Sequence, residues 1–183
     1  MQYFPAMSRL LLVLALGLLG AGASAAGAAT LHPGDASARI EYVVDGDTVQ
    51  LTSGRRVRLV QIDTPEIYNT PECYGKQASR VTKRLLRPGT AVRLYLEPKT
   101  DAVDAYGRLL RYVVRAGDGL DVNVQLVRVG AAAPYFYAHR RGRYARELIR
   151  LALRARARHL GLWGRCPGTP WDPYEGVSTG PPR

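Results

Sequence analysis

Acidic residues are scarce in this 183-residue chain: 15 Asp and Glu stand against 26 Lys and Arg. The imbalance gives a formal charge of +11 and a pI near 10.1. It argues against basic partners and favours nucleic acid, an anionic membrane surface or another polyanion. Cysteine is scarcer still. Two residues, Cys73 and Cys166, are too few for a disulfide-dense mini-protein or a four-cysteine zinc site. No internal repeat is present. What the chain does have is 46% apolar and 22% charged residues, the balance of a chain that buries a core and is not wholly disordered. Its length allows one domain, or one domain with a short appendage. With 19 Gly and 12 Pro, many turns are expected.

Charge is also missing from the N-terminus, where Arg9 is the only charged residue before Asp35. It precedes the apolar run Leu10 to Leu19, and small residues follow, including Ala23-Ser24-Ala25 and Ala26-Gly27-Ala28. This is the layout of a secretory signal peptide over residues 1–28, with cleavage expected after Ala25 or Ala28. The alternative is an uncleaved membrane anchor over residues 10–29, disfavoured because the second half is Gly, Ala and Ser and only weakly hydrophobic. Removing the segment takes away Arg9 alone and leaves +10 on the rest. The expected product is secreted or periplasmic, or membrane-anchored and facing outward if the segment stays. Export favours a bridge between Cys73 and Cys166, since an even pair in an oxidising compartment is usually joined.

After a flexible stretch over residues 29–37, the pattern predicts strands at Arg39–Val44 and Thr48–Thr52, joined by the turn Asp45-Gly46-Asp47. Ser53-Gly54 turns the chain into a strand from Arg55 to Ile62, with Val57, Leu59 and Gln61 on one face. A helix from about Glu72 to Arg87 places Ala78, Val81 and Leu85 inward and stops at Pro88-Gly89. Strands at Ala91–Glu97 and Arg108–Val114 follow. Asp121 is a candidate N-cap for a short helix through Val129, which Gly130 ends. The last helix, about Tyr144 to His159, turns Leu148, Ala152 and Ala155 inward. From Cys166 onward Pro and Gly dominate, and residues 167–183 read as a tail of little order. Five short strands with interspersed helices suggest a small β-barrel carrying packed helices.

The placement of the rare acids is informative. Asp47 lies in the Asp-Gly-Asp turn, and Asp63 and Glu66 in Ile62-Asp-Thr-Pro-Glu66. Each alone reads more readily as a turn or cap residue than as a ligand. All fall at strand ends, where side chains can converge, and two carboxylates with a backbone carbonyl suit Ca²⁺ or Mg²⁺. Arg58 lies in the strand leading to Asp63 and Arg108 at the opening of another strand, and a guanidinium fork matches phosphodiester oxygens. A second basic feature lies in residues 139–159, with eight arginines against one acid, Glu147. As a solvated helix face it needs no function. As a binding surface it would hold a nucleic-acid backbone with steep salt dependence. A membrane-surface role is disfavoured, because Leu148, Ala152 and Ala155 are needed for the core.

Three segments carry a resemblance: Val43-Val-Asp-Gly-Asp-Thr-Val49, Arg58-Leu-Val-Gln-Ile-Asp-Thr-Pro-Glu66 and Asp104-Ala-Tyr-Gly-Arg-Leu109. In order and internal spacing they resemble the motifs of the staphylococcal nuclease family. Asn123–Gly130 resembles its helix before a tyrosine pair, and Gly161-Leu-Trp163 its closing segment, so the likeness spans about residues 38–166. The resemblance implies an α+β fold, a five-stranded OB-fold-type barrel with three packed helices. It implies Ca²⁺ bound by the carboxylates of Asp47 and Asp63 and the carbonyl of Thr64. Glu66 would serve as general base, Arg58 and Arg108 would clamp the scissile phosphate, and Tyr106, Tyr135 and Tyr137 would contact substrate. The implied activity is hydrolysis of DNA or RNA, with little sequence choice, to 3′-phosphorylated products, by a monomer with no stable protein partner. A non-catalytic OB-fold module that only binds nucleic acid is the competing expectation. Ala105 departs from a lysine in the best-known member, Val124 replaces an acid, and the spacing from Gly130 to the tyrosines is one residue shorter.

Overall fold

A computed structural model describes residues 36–167 and 171–176. The expected signal segment and its cleavage sites lie outside the described residues. Strand β1 (Ala36–Val43) pairs antiparallel with β2 (Thr48–Leu51), with an irregularity in register between Ile40 and Tyr42. β2 pairs antiparallel with β3 (Arg56–Leu59), placing Val49 opposite Val57. A parallel ladder joins β3 to β6 (Leu109–Arg115), and β6 runs antiparallel to β5 (Ala91–Tyr95). β5 returns to β1, so the order β1-β2-β3-β6-β5 closes. Closure removes the exposed edges that a five-stranded open sheet would present. Alternation supplies the interior: Ile40, Val49, Leu51, Val57, Leu59 and Leu94 are all buried.

The barrel and its helices match the α+β expectation, with boundary changes that have physical causes. β1 begins at Ala36, so residues 36 and 37 are paired with Leu94 and Arg93 rather than loose. The single strand expected from Arg55 to Ile62 is two. Gln61 takes a left-handed conformation (φ 66°), and the chain leaves the barrel there. The short β4 (Ile62–Asp63) instead pairs with β7 (Ala133–Pro134). The turn is held by its own side chain: Gln61 Nε2 donates to the Arg140 carbonyl at 2.8 Å, and its Oε1 accepts from Gly142 N at 2.7 Å. Buried polar atoms satisfied this fully offset a strained φ.

Helix α1 (Gly75–Leu85) is shorter than expected; it buries Ala78, Ser79 and Thr82, with Val81 and Leu85 half-buried. Asp121 caps α2 (Val122–Arg128) as predicted, accepting from Val124 N at 3.0 Å. Helix α3 (Ala145–Ala157) buries Leu148, Leu151, Ala152 and Ala155. The short α4 (Leu162–Arg165) follows. It is reached through Gly161, whose backbone lies against that of Gly130; Leu162 N donates to the Gly130 carbonyl at 2.8 Å, and a Cβ on either glycine would collide with the other segment. Cys73 and Cys166 form a disulfide, with Cα atoms 5.8 Å apart and 93 residues between them in sequence. Chain-entropy arguments put a crosslink of that span at roughly 4–5 kcal/mol before strain. Part of the expected loose tail is packed: Trp171 is buried with Ala133, Leu162 and Cys166. Among the described residues, no helix is long and apolar enough to cross a membrane.

Candidate active site

The turn between β1 and β2 builds the floor of the site. Asp45 Oδ1 accepts from Asp47 N at 3.0 Å and Thr48 N at 2.7 Å, which folds Asp45-Gly46-Asp47 tightly and turns Asp47 inward. Gly46 sits against Thr64, and any side chain there would strike the threonine. α1 braces the same turn, as Thr82 Oγ1 donates to the Gly46 carbonyl at 2.5 Å. Asp47 Oδ2 then accepts from Thr64 N at 2.9 Å and Thr64 Oγ1 at 3.0 Å. The Asp45–Asp47 turn, Thr64 and α1, distant in sequence, are thereby locked together.

Arg58 joins that carboxylate to the next. Its Nε lies 3.1 Å from Asp47 Oδ1, and its Nη2 lies 2.6 Å from Asp63 Oδ1. Nη1 donates to the carbonyls of Leu59 and Ile62, each at 2.8 Å. Three of the five N–H groups of the guanidinium are hydrogen-bonded in this way, and Nε adds an ion pair. Burial alone would lower the Arg58 guanidinium, but the surrounding Asp47, Asp63, Asp45 and Glu66 raise it. The acids show the opposite imbalance. Burial pushes the Asp63 carboxyl up to about 7; Arg58 pulls it down, and Asp47, Glu66 and Glu72 add to the rise. Asp45 is pushed up to about 6 by burial and by Asp47. One guanidinium shared among several carboxylates leaves the cluster short of positive charge.

That deficit bears on a cation. Among the described residues no group of three His, Cys, Asp or Glu side chains is placed to hold a metal. Two carboxylates, Asp47 and Asp63, converge on one guanidinium, and carboxylate oxygens are the donors that a hard cation takes. Ca²⁺ takes six to eight oxygens and draws the remainder from water and substrate. The residues fit such an ion.

Beside this cluster lies an open groove of about 600 Å³ lined by Glu66, Tyr68, Tyr106 and Arg108, with Arg55 and Arg56 on its wall. Glu66 is positioned through its backbone: its N donates to Glu72 Oε2 at 3.0 Å, and its carbonyl accepts from Glu72 N at 2.9 Å. Arg108 is set by Asp104, whose Oδ2 lies 2.6 Å from Arg108 Nε and whose Oδ1 accepts from Tyr106 N and Arg108 N, both at 2.9 Å. The guanidinium carbon stands 5.2 Å from the centre of the Tyr106 ring, which is 71% exposed.

The structure thus brings Asp47, Arg58, Asp63 and Thr64 into one network, and Glu66, Tyr106 and Arg108 onto one groove. Tyr135 and Tyr137 do not line that groove. They follow β7, where Tyr135 N donates to the Gln61 carbonyl at 2.9 Å, and both are exposed. Sequence reasoning did not single out Asp45, Thr82, Tyr68, Arg55 or Arg56. Asp45 was visible in the Asp-Gly-Asp turn, whereas Thr82 and Tyr68 carry no local signal. Of the two substituted positions among the departures, Ala105 is exposed and Val124 is buried in the core.

The chain is similar to known proteins. The model of the family described as "Staphylococcal nuclease homologue" matches residues 56–165. The chain is 37% identical over 132 residues to "Thermonuclease" of Staphylococcus intermedius, covering 69% of this chain and 75% of that protein. It is 34% identical over 143 residues to "Uncharacterized endonuclease" of Escherichia coli O157:H7, covering 75% and 84%. Similarity to "Endonuclease YhcR" of Bacillus subtilis (strain 168) is 38% over 109 residues, 53% of this chain and only 9% of that much longer protein.

Proposed function

This chain belongs to the staphylococcal nuclease family and is a phosphodiesterase of the endonuclease kind; from that premise we propose an exported, Ca²⁺-dependent enzyme that hydrolyses DNA or RNA with little sequence choice. The observation that carries this reading is Arg58 held between Asp47 and Asp63, with Glu66 and Arg108 on the adjoining groove. Export is supported by the apolar run after Arg9, the small residues that follow it and the Cys73–Cys166 bridge. The enzyme is proposed to act as a monomer.

Arg108 and the remaining N–H of Arg58 Nη2 bind the non-bridging oxygens of the scissile phosphate. Hydrogen-bond donors fixed before the reaction stabilise the charge gained in its transition state without reorganising. Glu66 takes a proton from water, the water oxygen forms a bond to phosphorus, and the bond to the 5′ oxygen breaks in line. The 5′ oxygen leaves and takes a proton from solvent water, and the other product keeps a 3′-phosphate. Asp47, Asp63 and the Thr64 carbonyl would hold Ca²⁺, which supplies further positive charge beside the phosphate. Tyr106 offers an exposed ring to a flanking nucleotide, with Tyr135 and Tyr137 as further contacts; stacking of this kind is tolerant of sequence.

Plasmid and RNA digestion with Ca²⁺ and with chelator tests the reading. Cleavage that needs Ca²⁺ and falls by roughly two to four orders of magnitude in Glu66→Gln is expected, the usual contribution of a general base. Intact substrate under both conditions, or full activity in Glu66→Gln, would reject it.

A further inference from the structure

The eight arginines between residues 139 and 159 separate into two sets. Arg140 pairs with Asp101 at 3.1 Å, Arg141 with Glu175 at 3.4 Å, and Arg143 with Glu97 at 3.5 Å. Arg143 also donates through its backbone N to Glu97 at 2.8 Å and through its side chain to the Leu96 carbonyl. These three fasten the segment before α3 to neighbouring parts of the fold. The others stand on α3 and its C-terminal cap. Arg146, Arg150, Arg154 and Arg158 are exposed and follow one another at intervals of four residues. Among the described residues, Arg150 has the one ion pair of this row, a long 3.9 Å contact with Glu147.

Four-residue spacing sets the guanidinium stems about 6 Å apart along the helix, and the whole row spans about 18 Å. Like charges at this spacing destabilise a helix. Attraction of cations to a helix C-terminus accounts for Arg154 and Arg158, but Arg146 stands in the first turn, where the helix dipole disfavours a cation. Among the described residues the row is a line of exposed positive charge offset only by that long contact; it starts on the side of α3 away from Leu148 and Ala152 and winds by about 40° per step toward the C-terminal end. A nucleic-acid strand advances about 3.4 Å per phosphate, so 18 Å of helix matches a run of about five phosphates. Guanidinium is also the group best suited to phosphate oxygens.

We propose that the outer face of α3 is a second nucleic-acid surface, in which Arg146, Arg150, Arg154 and Arg158 grip the backbone of a long substrate away from the groove. The inference rests on nucleic acid being the substrate, not on the catalytic roles of Glu66 or Arg58. The row adds affinity for polymers and does nothing for a substrate too short to reach both places.

The test is the salt dependence of binding to a fluorescent 30-base-pair DNA in chelator, where no cleavage is needed. Each phosphate contact contributes about 0.9 to the slope of log K against log salt. Replacing all four arginines by Gln should therefore lower the slope by about 3 to 4, and replacement by Lys should restore most of it. Hydrolysis of a nitrophenyl phosphodiester of a single nucleotide should stay at the wild-type rate, whereas degradation of long DNA at low salt slows. If the fourfold Gln variant does not fold, the pairs Arg146→Gln with Arg150→Gln and Arg154→Gln with Arg158→Gln should each remove about half the change. An unchanged slope in folded variants would overturn the proposal. So would loss of binding to phosphatidylglycerol vesicles with DNA binding intact, which would assign the row to a membrane. DNA binding that shows the expected slope without any hydrolysis would leave this surface standing and reject the proposed catalysis instead.

Discussion

Arg58 and Arg108 are proposed to act on the same phosphate, yet the protein holds them in different ways. Arg58 lies on β3 with 13% of its side chain exposed, committed to two buried carboxylates and two backbone carbonyls. Arg108 enters β6 from a loop, half-buried, with Asp104 as its carboxylate partner and an exposed tyrosine ring beside it. The first is part of the architecture, since without it Asp47 and Asp63 would face each other in a poorly hydrated space. The second is an arm mounted on one turn. An arginine's value to catalysis and its value to folding can therefore be separated within one site.

Removing each guanidinium tests that separation most strongly. Arg58→Ala leaves two buried carboxylates uncompensated, and breaking a buried pair in this way costs about 3–5 kcal/mol. Arg108→Ala removes a half-exposed pair, worth about 1 kcal/mol or less. Both should lower turnover by about two orders of magnitude or more if each stabilises developing charge. Urea unfolding of the two variants, measured beside kcat, checks the contrast. Equal destabilisation by both would erase it.

A subtler probe of the buried side is pH. In the metal-free protein the Asp63 carboxyl is raised to about 7, first by burial. The native state then holds a proton that the unfolded chain has already released, so stability falls as pH rises between about 4 and 7. Asp45 and Asp121 are each raised to about 6 and slope the same way below that pH. The window from pH 6 to 7.5 therefore belongs mostly to Asp63. Urea midpoints in chelator should decline across it, Asp63→Asn should flatten the decline, and Ca²⁺ should oppose it by favouring the ionised form. A flat wild-type profile would show that Arg58 neutralises Asp63 by itself.

The same division marks what the amino-acid pattern revealed. Alternation and turn residues were enough for the barrel strands, the Asp121 cap and the inward face of α3, because each depends on neighbours within a few positions. The three nuclease-like segments were enough to name Asp47, Arg58, Asp63, Glu66 and Arg108. The break at Gln61 was hidden, because its left-handed backbone is secured by Arg140 and Gly142, about eighty residues away. Trp171 was hidden for a similar reason: its cover comes from Ala133, Leu162 and the disulfide-bonded Cys166. Arginine counting joined Arg140, Arg141 and Arg143 to the α3 row, and only their acidic partners at Asp101, Glu175 and Glu97 set them apart.

The smallest effect should come from the support beneath the loop-mounted arm. Asp104 gathers Tyr106 N, Arg108 N and Arg108 Nε on its two carboxylate oxygens. Burial opposes its ionisation, but the bonds from Arg108 outweigh it and hold the carboxyl below its ordinary value. That stability is present at neutral pH and is lost as pH falls below the ordinary Asp range. It is small, because the pair is only partly buried and remains open to solvent screening. Asp104→Asn keeps an acceptor for the turn but loses the charge that fixes the guanidinium. Folding should be nearly unchanged, KM for DNA should rise several-fold, and kcat should fall less than in Arg108→Ala. A kcat loss as deep as that of Arg108→Ala would mean that Asp104 does more than aim its neighbour, and the loop-mounted arginine would prove as dependent on its carboxylate as the buried one.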